Sequence, residues 1–459
     1  MQTILKNGNI VTANNIYKAD ILLENGVISQ ISDKIEKVEA KVVDVQNTFI
    51  LPGGVDMHTQ LSLDSHGKFS ADAFKKNSIA ALYGGITTVV EEIIPMSCNI
   101  ESLSYYKDAL ENNSFVDYSF HQNCHTPLSP DTLKELINQT LDGFPSCVLS
   151  TFGEKHMSDE DIVTILRDHS CYGGTALIKC DSNASSMLLE ELHTLKQKTA
   201  PYSLATAHPY WGEKEGFDRM CNLSRAGGVA FCIDHISSKE VVKALYQQIG
   251  EGLPVTITTS PLHLIFTDSK YQSHELNDRE CYKYIALPPL RKKEDINALW
   301  KGINDGVIHF ITTHHNSTHL ENKLNVSSGN AFKCPLGTPG IELRLPILFT
   351  EGVVNKKISI TRLAEITASH VTRTAGLRNK GRIEVGTDAD LVILDPNMKK
   401  EIKLDHLHEN CDYSPYEGLT LQGFPQHVFL RGSHVINDYK FCAQETTGKL
   451  TFRKAVAVR

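Results

Sequence analysis

The residues with the clearest capacity for chemistry lie in segment 51–60, which reads Leu-Pro-Gly-Gly-Val-Asp-Met-His-Thr-Gln. Side chains alternate along a strand, so residues two positions apart share one face. A His-x-His pair at the carboxyl end of a barrel strand therefore places two imidazoles where they can bind a metal ion. This chain has His58 followed by Gln60. The segment predicts a metal-binding position in which an amide replaces the second imidazole.

A parallel barrel is the element that would position these side chains, and the middle of the chain has its pattern. Apolar segments typical of buried strands alternate with helical segments over roughly 300 residues. The predicted strands are residues 85–90, 146–149, 175–178, 229–233, 255–258 and 308–311. The pattern predicts the α/β class and, most economically, a (β/α)8 TIM barrel.

The two ends of the chain resemble each other in texture and differ from the middle. Short alternating apolar runs fill residues 1–50, where turn signals such as Asn7-Gly8 and Asn25-Gly26 separate them, and similar runs return between residues 381 and 436. We expect one small β-sandwich domain composed of both chain termini. The predicted boundaries are 1–50 for its first part, 51–375 for the barrel, and 376–459 for its second part with a C-terminal tail.

Composition limits the partners and the compartment. The net charge of −8 argues against a nucleic-acid partner. No apolar run approaches the roughly 18 residues that a membrane helix needs, and no signal-peptide core is present at the N-terminus. The eleven cysteines lack regular spacing, which is typical of reduced thiols. These features predict a cytoplasmic protein that binds neither nucleic acid nor membrane.

Several motifs, spread along essentially the whole chain, resemble the hydantoinase and dihydropyrimidinase group of cyclic amidohydrolases. The most specific lie in residues 51–56, 71–88, 288–291, 337–342, 386–390 and 412–418. The resemblance implies a TIM barrel with a composite β-sandwich, usually assembled as a tetramer. It also implies hydrolysis of cyclic ureides by two zinc-type ions that a carboxylated lysine bridges.

The resemblance assigns six metal-ligand positions, and most of them have changed. The six residues found there are His58, Gln60, Val148, Lys179, His235 and His314. Only His58 and His235 keep the residue that the family pattern implies. Val148 occupies the position of the bridging lysine, and a valine cannot carry a carbamate. His314 replaces the aspartate that, in the family, binds metal and accepts the proton of the nucleophilic water.

The substrate positions implied by the resemblance have changed as well. Gly153 stands where the family has a tyrosine, Leu287 where it has a serine, and Leu336 where it has an asparagine. Lys179 has two interpretations. It could be a desolvated nucleophile, but we favour a structural role in which its ammonium group fills the vacated cation site and pairs with Asp181 or Glu154.

Whether the chain is an enzyme stays open at this point. We expect no binuclear zinc, and the first hypothesis is a catalytically inactive oligomeric scaffold or partner-binding subunit, a homo-tetramer or dimer. The alternative is a mononuclear zinc amidohydrolase for cyclic amides or ureides, in which His58, His235 and His314 hold the single ion and His314 also takes the catalytic position. A third hypothesis is a small-molecule binding protein that keeps the pocket without the chemistry.

Overall fold

The computed structural model describes residues 2–93, 99–124, 129, 131–132, 146–151, 156–171, 176–272 and 278–454. Its N-terminal strands are β1 (Gln2–Lys6), β2 (Asn9–Val11), β3 (Ile16–Lys18), β4 (Asp20–Glu24), β5 (Val27–Ser32), β6 (Lys41–Asp44) and β7 (Phe49–Pro52). A four-stranded sheet has the order β5-β4-β1-β6. Asn25 and Gly26 connect β4 to β5 with φ of 52° and 84°, as a two-residue hairpin turn requires.

The middle of the chain forms a closed parallel barrel. Its strands are β8 (Gly54–Gln60), β9 (Ile86–Ile93), β10 (Asp117–Asn123), β11 (Ser146–Ser150), β12 (Ala176–Lys179), β13 (Phe231–Ile233), β14 (Val255–Thr259), β15 (Phe310–Ile311) and β16 (His315–Asn316). β15 and β16 are two parts of the eighth strand, because β15 pairs with β14 and β16 pairs with β8. The barrel interior is filled by apolar side chains that include Val90, Val148 and Leu177.

Helices connect the strands and cover the barrel. They are α1 (Ala71–Tyr83), α2 (Ile100–Leu110), α3 (Asp159–Cys171), α4 (Asn183–Leu195), α5 (Pro201–Ala207), α6 (Tyr210–Gly227), α7 (Lys239–Gly250), α8 (Pro261–Ile265), α9 (Arg279–Tyr282), α10 (Lys293–Asn304), α11 (Leu320–Ser327), α12 (Arg344–Leu348), α13 (Ile360–Ala364) and α14 (His370–Ala375). Ser70 and Ser238 begin α1 and α7, and each side chain accepts a hydrogen bond from a backbone N–H of the first turn. Within the described ranges, no helix is both long and apolar enough to cross a membrane.

The C-terminal strands complete the second domain. They are β17 (Leu391–Glu401), β18 (Thr420–Leu430), β19 (Ser433–Asn437) and β20 (Lys440–Phe441). β17 pairs with β7, so the second sheet has the order β20-β19-β18-β17-β7-β2-β3 and joins both chain ends. The sandwich core packs Leu5, Ile21 and Ile28 against Leu391 and Phe429. The predicted fold class, a TIM barrel with a β-sandwich made from both termini, is confirmed; the predicted domain boundaries stay a prediction.

Candidate metal-site region at the barrel mouth

Imidazole and charged side chains collect at the carboxyl ends of the barrel strands, where barrel enzymes place their chemistry. They are His58 on β8, Glu92 on β9, Lys179 at the end of β12, Asp234 and His235 directly after β13, and His314 between β15 and β16. The prediction that residues 58 and 60 share one face is confirmed, since both side chains reach the same oxygen of Glu92.

His58 lies between two carboxylates. Its Nε2 atom is 2.8 Å from Glu92 Oε2, and its Nδ1 atom is 2.8 Å from Asp234 Oδ2. Burial opposes the charged form, but the two carboxylates outweigh burial and raise the pKa of His58 to about 9. At neutral pH, His58 is therefore an imidazolium ion that donates a hydrogen bond from each ring nitrogen.

Glu92 is fully buried and is the anion that several side chains share. Its Oε2 atom also accepts a hydrogen bond from Gln60 Nε2 at 2.8 Å, and its Oε1 atom accepts one from Asn123 Nδ2 at 2.7 Å. Lys179 Nζ lies 3.5 Å from Oε2. Burial opposes ionisation, but Lys179 and His58 hold the pKa of Glu92 well below its usual range.

His235 and His314 are neutral imidazoles beside this ion cluster. Both have left-handed backbone conformations, with φ of 54° and 48°. Burial lowers the pKa of His235 to about 4. Burial and the nearby charge of His58 hold the pKa of His314 well below its usual range. His235 Nε2 is 2.6 Å from the Thr312 hydroxyl. The His314 ring stacks on His58 with centroids 4.2 Å apart, and its Nε2 atom has no hydrogen-bond partner among the described residues.

Comparison with known proteins identifies the family. A model of the amidohydrolase family matches residues 206–435. The D-phenylhydantoinase of Escherichia coli O1:K1 / APEC is 30% identical over 460 residues, covering 99% of this chain and 98% of that protein. The chain belongs to the hydantoinase/dihydropyrimidinase family.

Solved structures support the assignment to the hydantoinase/dihydropyrimidinase family and its fold. The dihydropyrimidinase from Brevibacillus agri NCHU1002 superposes with a TM-score of 0.94 at 26% identity, covering 100% of both chains. The D-hydantoinase (dihydropyrimidinase) from Thermus sp. superposes with a TM-score of 0.92 at 28% identity, covering 99% of this chain and 100% of that one. The family resemblance predicted from the motifs is therefore confirmed.

The residues at this mouth do not fit the binuclear centre that the hydantoinase pattern implies. Val148 is 2% exposed, packs inside the barrel with Val90 and Leu177, and carries no donor atom. Gln60 is also occupied, since its Oε1 atom accepts a hydrogen bond from Asn316 Nδ2 while its amide donates to Glu92. No group at either position can bridge two metal ions or complete their ligand shells.

Lys179 points into the mouth as predicted, but its anionic partner differs from the expected Asp181. The ammonium group pairs with Glu92, whereas Asp181 Oδ2 lies 2.6 Å from His208 Nδ1. The other expected partner, Glu154, lies outside the described residues. The partner was missed because Glu92 comes from a strand three positions away around the barrel, which local spacing cannot reveal.

The residues at the mouth fit a single metal ion better than they fit two. Two groups of three donors at the mouth have their ligand atoms within 4.8 Å of one another: His58 with Glu92 and His314, and Asp234 with His235 and His314. Metal ligands must be deprotonated. The second group meets this condition. Its imidazoles are neutral, and the pKa of Asp234 lies well below its usual range because the charge and hydrogen bond of His58 outweigh burial. The site of His58, His235 and His314 for a single zinc ion stays a prediction. Its member His58 carries a proton, and a metal ligand must lose that proton.

Two of the three predicted substrate positions lie among the described residues. Leu287 and Leu336 line a cavity of about 240 Å³ at the mouth together with Lys179, His235 and His314. Gly153 lies outside the described residues.

Sequence reasoning missed two central residues, Glu92 and Asp234. Glu92 is one of two adjacent glutamates on β9, and because neighbouring side chains on a strand point to opposite faces, only one of the two faces the mouth. The other, Glu91, turns away and accepts hydrogen bonds from Thr59 and Ser62. Asp234 directly precedes a recognised position, His235, and a carboxylate beside a retained histidine was the available signal.

Proposed function

We propose that this member of the hydantoinase/dihydropyrimidinase family does not hydrolyse cyclic ureides through a binuclear metal centre and acts instead as an oligomeric, partner-binding subunit. The observation that carries the proposal is the ion cluster at the mouth. His58 and Lys179 supply two protein cations beside the carboxylates of Glu92 and Asp234. These cations provide the positive charge that metal ions would otherwise bring, and like-charge repulsion disfavours a divalent ion beside them.

The first test is metal content, measured by elemental analysis on protein purified without chelator and again after zinc loading and desalting. We expect far less than one zinc per chain in both preparations, and no hydrolysis of hydantoin or dihydrouracil above background. Two zinc ions per chain together with ureide hydrolysis would contradict the proposal.

A matched gain-of-ligand variant makes this test sharper. The substitutions Gln60→His, Val148→Lys, Lys179→His and His314→Asp restore the ligand types that the family pattern implies. Zinc uptake by this variant, with none by the natural chain, would show that the assay detects a binuclear centre and that these four side chains account for its loss.

A second candidate function rests on Asp234, His235 and His314, whose ligand atoms lie within 4.8 Å of one another. A single zinc held there would lower the pKa of bound water and polarise an amide carbonyl. The residues around it would orient the substrate in the cavity. Close to one zinc per chain, lost in His314→Ala along with amide hydrolysis, would favour this function.

The oligomeric part of the proposal is supported by an exposed apolar surface. Only one residue of α4, Ser186, is buried. Leu188, Leu192 and Leu195 lie at i, i+4 and i+7 on one face of this helix, and Leu195 is 72% exposed. Met187, Tyr202, Tyr210 and Trp211 are also exposed within the same stretch of chain. Such a concentration of uncovered apolar side chains is typical of a protein–protein interface.

A second copy of this chain is the proposed occupant of this α4 surface. The stripe extends almost equally on both sides of Leu192, so two α4 helices related by a two-fold axis present matching apolar faces. Half-exposed side chains of this size each offer roughly 100 Å², so the surface is on the order of the 800 Å² per partner found in stable complexes.

We also propose a cytoplasmic location. Seven cysteines form no disulfide bond among the described residues, and four of these are buried; the seven are Cys147, Cys180, Cys221, Cys232, Cys334, Cys411 and Cys442. Reduced cysteines are the norm in the cytosol, whereas secreted proteins usually oxidise them.

A further inference from the structure

The mouth cavity is large enough for a small organic ligand. Its volume of about 240 Å³ exceeds the roughly 150 Å³ of a protein cavity that holds benzene. Both polar and apolar side chains line it, including Lys179, His314, Leu262, Leu287 and Leu336. The chemistry of a ligand can be inferred from these two kinds of lining.

Most polar groups in the lining are already satisfied by the protein. His263 lies 2.8 Å from Ser260 Oγ through Nδ1 and 2.7 Å from the Pro288 carbonyl through Nε2. The Nε2 atom of His235 contacts the Thr312 hydroxyl. These side chains shape the cavity, but their hydrogen bonds are directed into the protein.

Lys179 and His314 differ from these groups. The Lys179 side chain is 25% exposed, and its Nζ atom makes no hydrogen bond to a described residue: Glu92 at 3.5 Å is its ion-pair partner. Glu92 already accepts three shorter hydrogen bonds, from His58, Gln60 and Asn123. The ammonium donors are therefore available to a ligand group, and the partly exposed His314 side chain lines the same cavity.

The apolar side chains in the lining indicate the chemistry of the rest of the ligand. Leu287 and Leu336 stand where the family pattern has a serine and an asparagine for polar substrate contacts, so this wall offers no side-chain hydrogen bond. Leu336 is 40% exposed, which leaves apolar surface for a ligand to cover. A polar ring would lose hydrogen bonds to water here without replacing them, whereas an aliphatic or aryl group would gain.

We propose that the cavity binds a small monocarboxylic acid with an apolar tail. The carboxylate accepts hydrogen bonds from Lys179 and contacts His314, and the tail packs against Leu262, Leu287 and Leu336. The inference rests on the proposed function, because a metal ion in the mouth would itself take the carboxylate.

The test is titration calorimetry on the chelator-treated full-length protein with 3-phenylpropionate, 3-phenylpropionamide and acetate. We expect the aryl acid to bind more tightly than either the amide or acetate. Lys179→Gln should weaken binding of the acid about tenfold or more, because a hydrogen bond between charged groups is lost, and should leave the amide little changed. Leu336→Asn should weaken the aryl acid but not acetate. Lys198→Gln, an exposed lysine outside the cavity, is the matched control.

Melting temperatures identify variants that fold poorly, and Lys179→Arg, which keeps the charge, should then retain binding of the acid. Equal affinity for acid and amide, no binding of the acid, or binding only after zinc is added would each overturn the inference. Zinc content of protein purified without chelator, measured beside the calorimetry, separates the two proposals. If the protein is metal-free and does not bind the acid, only the proposal about the ligand is contradicted. Stoichiometric zinc would instead contradict the proposed function.

Discussion

At the scale of single residues, the decisive feature is that His58 is held between two carboxylates. An imidazole that binds a metal ion must leave one nitrogen unprotonated. Here both ring nitrogens of His58 donate to anions, and its pKa is raised to about 9 even though burial opposes this. The residue that looks most like a retained metal ligand is thus already committed to an ion cluster.

The cluster should contribute substantially to stability. Glu92→Gln removes the anion that His58, Lys179 and Gln60 share, and it leaves two cations with Asp234 as their remaining buried carboxylate. Breaking a buried ion pair in this way costs about 3–5 kcal/mol. Urea unfolding of Glu92→Gln beside the exposed control Glu111→Gln measures the cost. A loss for Glu92→Gln no larger than that for the control would show that the cluster does not hold the mouth together.

At the scale of elements, the connection between β17 and β18 attaches the second domain to the barrel. The His408 ring stacks on Tyr83 of α1 with centroids 3.5 Å apart. The backbone N–H of Glu342 donates to Glu409 Oε1 at 3.0 Å, and the N–H of Asn410 donates to Asn77 Oδ1. The Glu409 side chain is 2% exposed, and this burial together with the neighbouring Glu342 raises its pKa to about 8.

Stability should therefore depend on pH through Glu409. Its pKa is about 8 in the folded chain and near the ordinary 4.5 in the unfolded chain, so the folded state holds a proton that the unfolded state releases. The contribution is complete below about pH 4.5 and is lost as pH rises through 8, by at most about 1.4 kcal/mol per pH unit.

Glu409→Gln is the variant that isolates this effect, because it keeps the acceptor for the Glu342 N–H but cannot ionise. Unfolding free energies measured from pH 5 to 9 should fall more steeply for the natural chain than for Glu409→Gln. The exposed Glu401→Gln serves as control. Parallel curves for the natural chain and Glu409→Gln would mean that Glu409 does not take up a proton on folding.

At the scale of the whole molecule, buried charges connect the barrel to the second domain while an apolar surface remains open. Lys380 Nζ lies 2.5 Å from Asp117 on barrel strand β10 and 2.7 Å from Asp390, which directly precedes β17. The C-terminal part of the second domain is thus fixed to the barrel. The α4 surface, in contrast, has no covering element among the described residues, which is the reason to assign it to a second copy.

Self-association through α4 can be tested with two charges. Leu188→Glu with Leu192→Glu places carboxylates on the stripe and should convert the oligomer into a smaller species, seen as a lower mass in light scattering after size-exclusion chromatography. The exposed pair Val38→Glu with Val42→Glu, which lies on the second domain, should leave the mass unchanged. A natural chain that is monomeric at micromolar concentration would already contradict the α4 interface.

Much of the architecture could be predicted from the chain alone. Hydrophobic periodicity reports on local structure, so the strands at 146–149 and 255–258 were placed within a residue or two of β11 and β14. β10 was missed, because Asp117, Ser119 and His121 interrupt its apolar pattern although all three are buried. The motifs indicated the family and also gave the prediction that Val148 occupies the position of its bridging lysine, because both depend on residue type and order.

Only the tertiary structure decided what the changed positions do. Side chains of His58, Glu92 and Asp234 meet from three different strands or strand ends, separated by up to 176 positions along the chain. Local spacing contains no information about such contacts, and the charge of His58 depends on them. Sequence therefore determined the barrel and the residue types at the predicted ligand positions. Folding determined that a protein ion pair occupies the mouth, because pKa values follow from neighbours in space rather than in sequence.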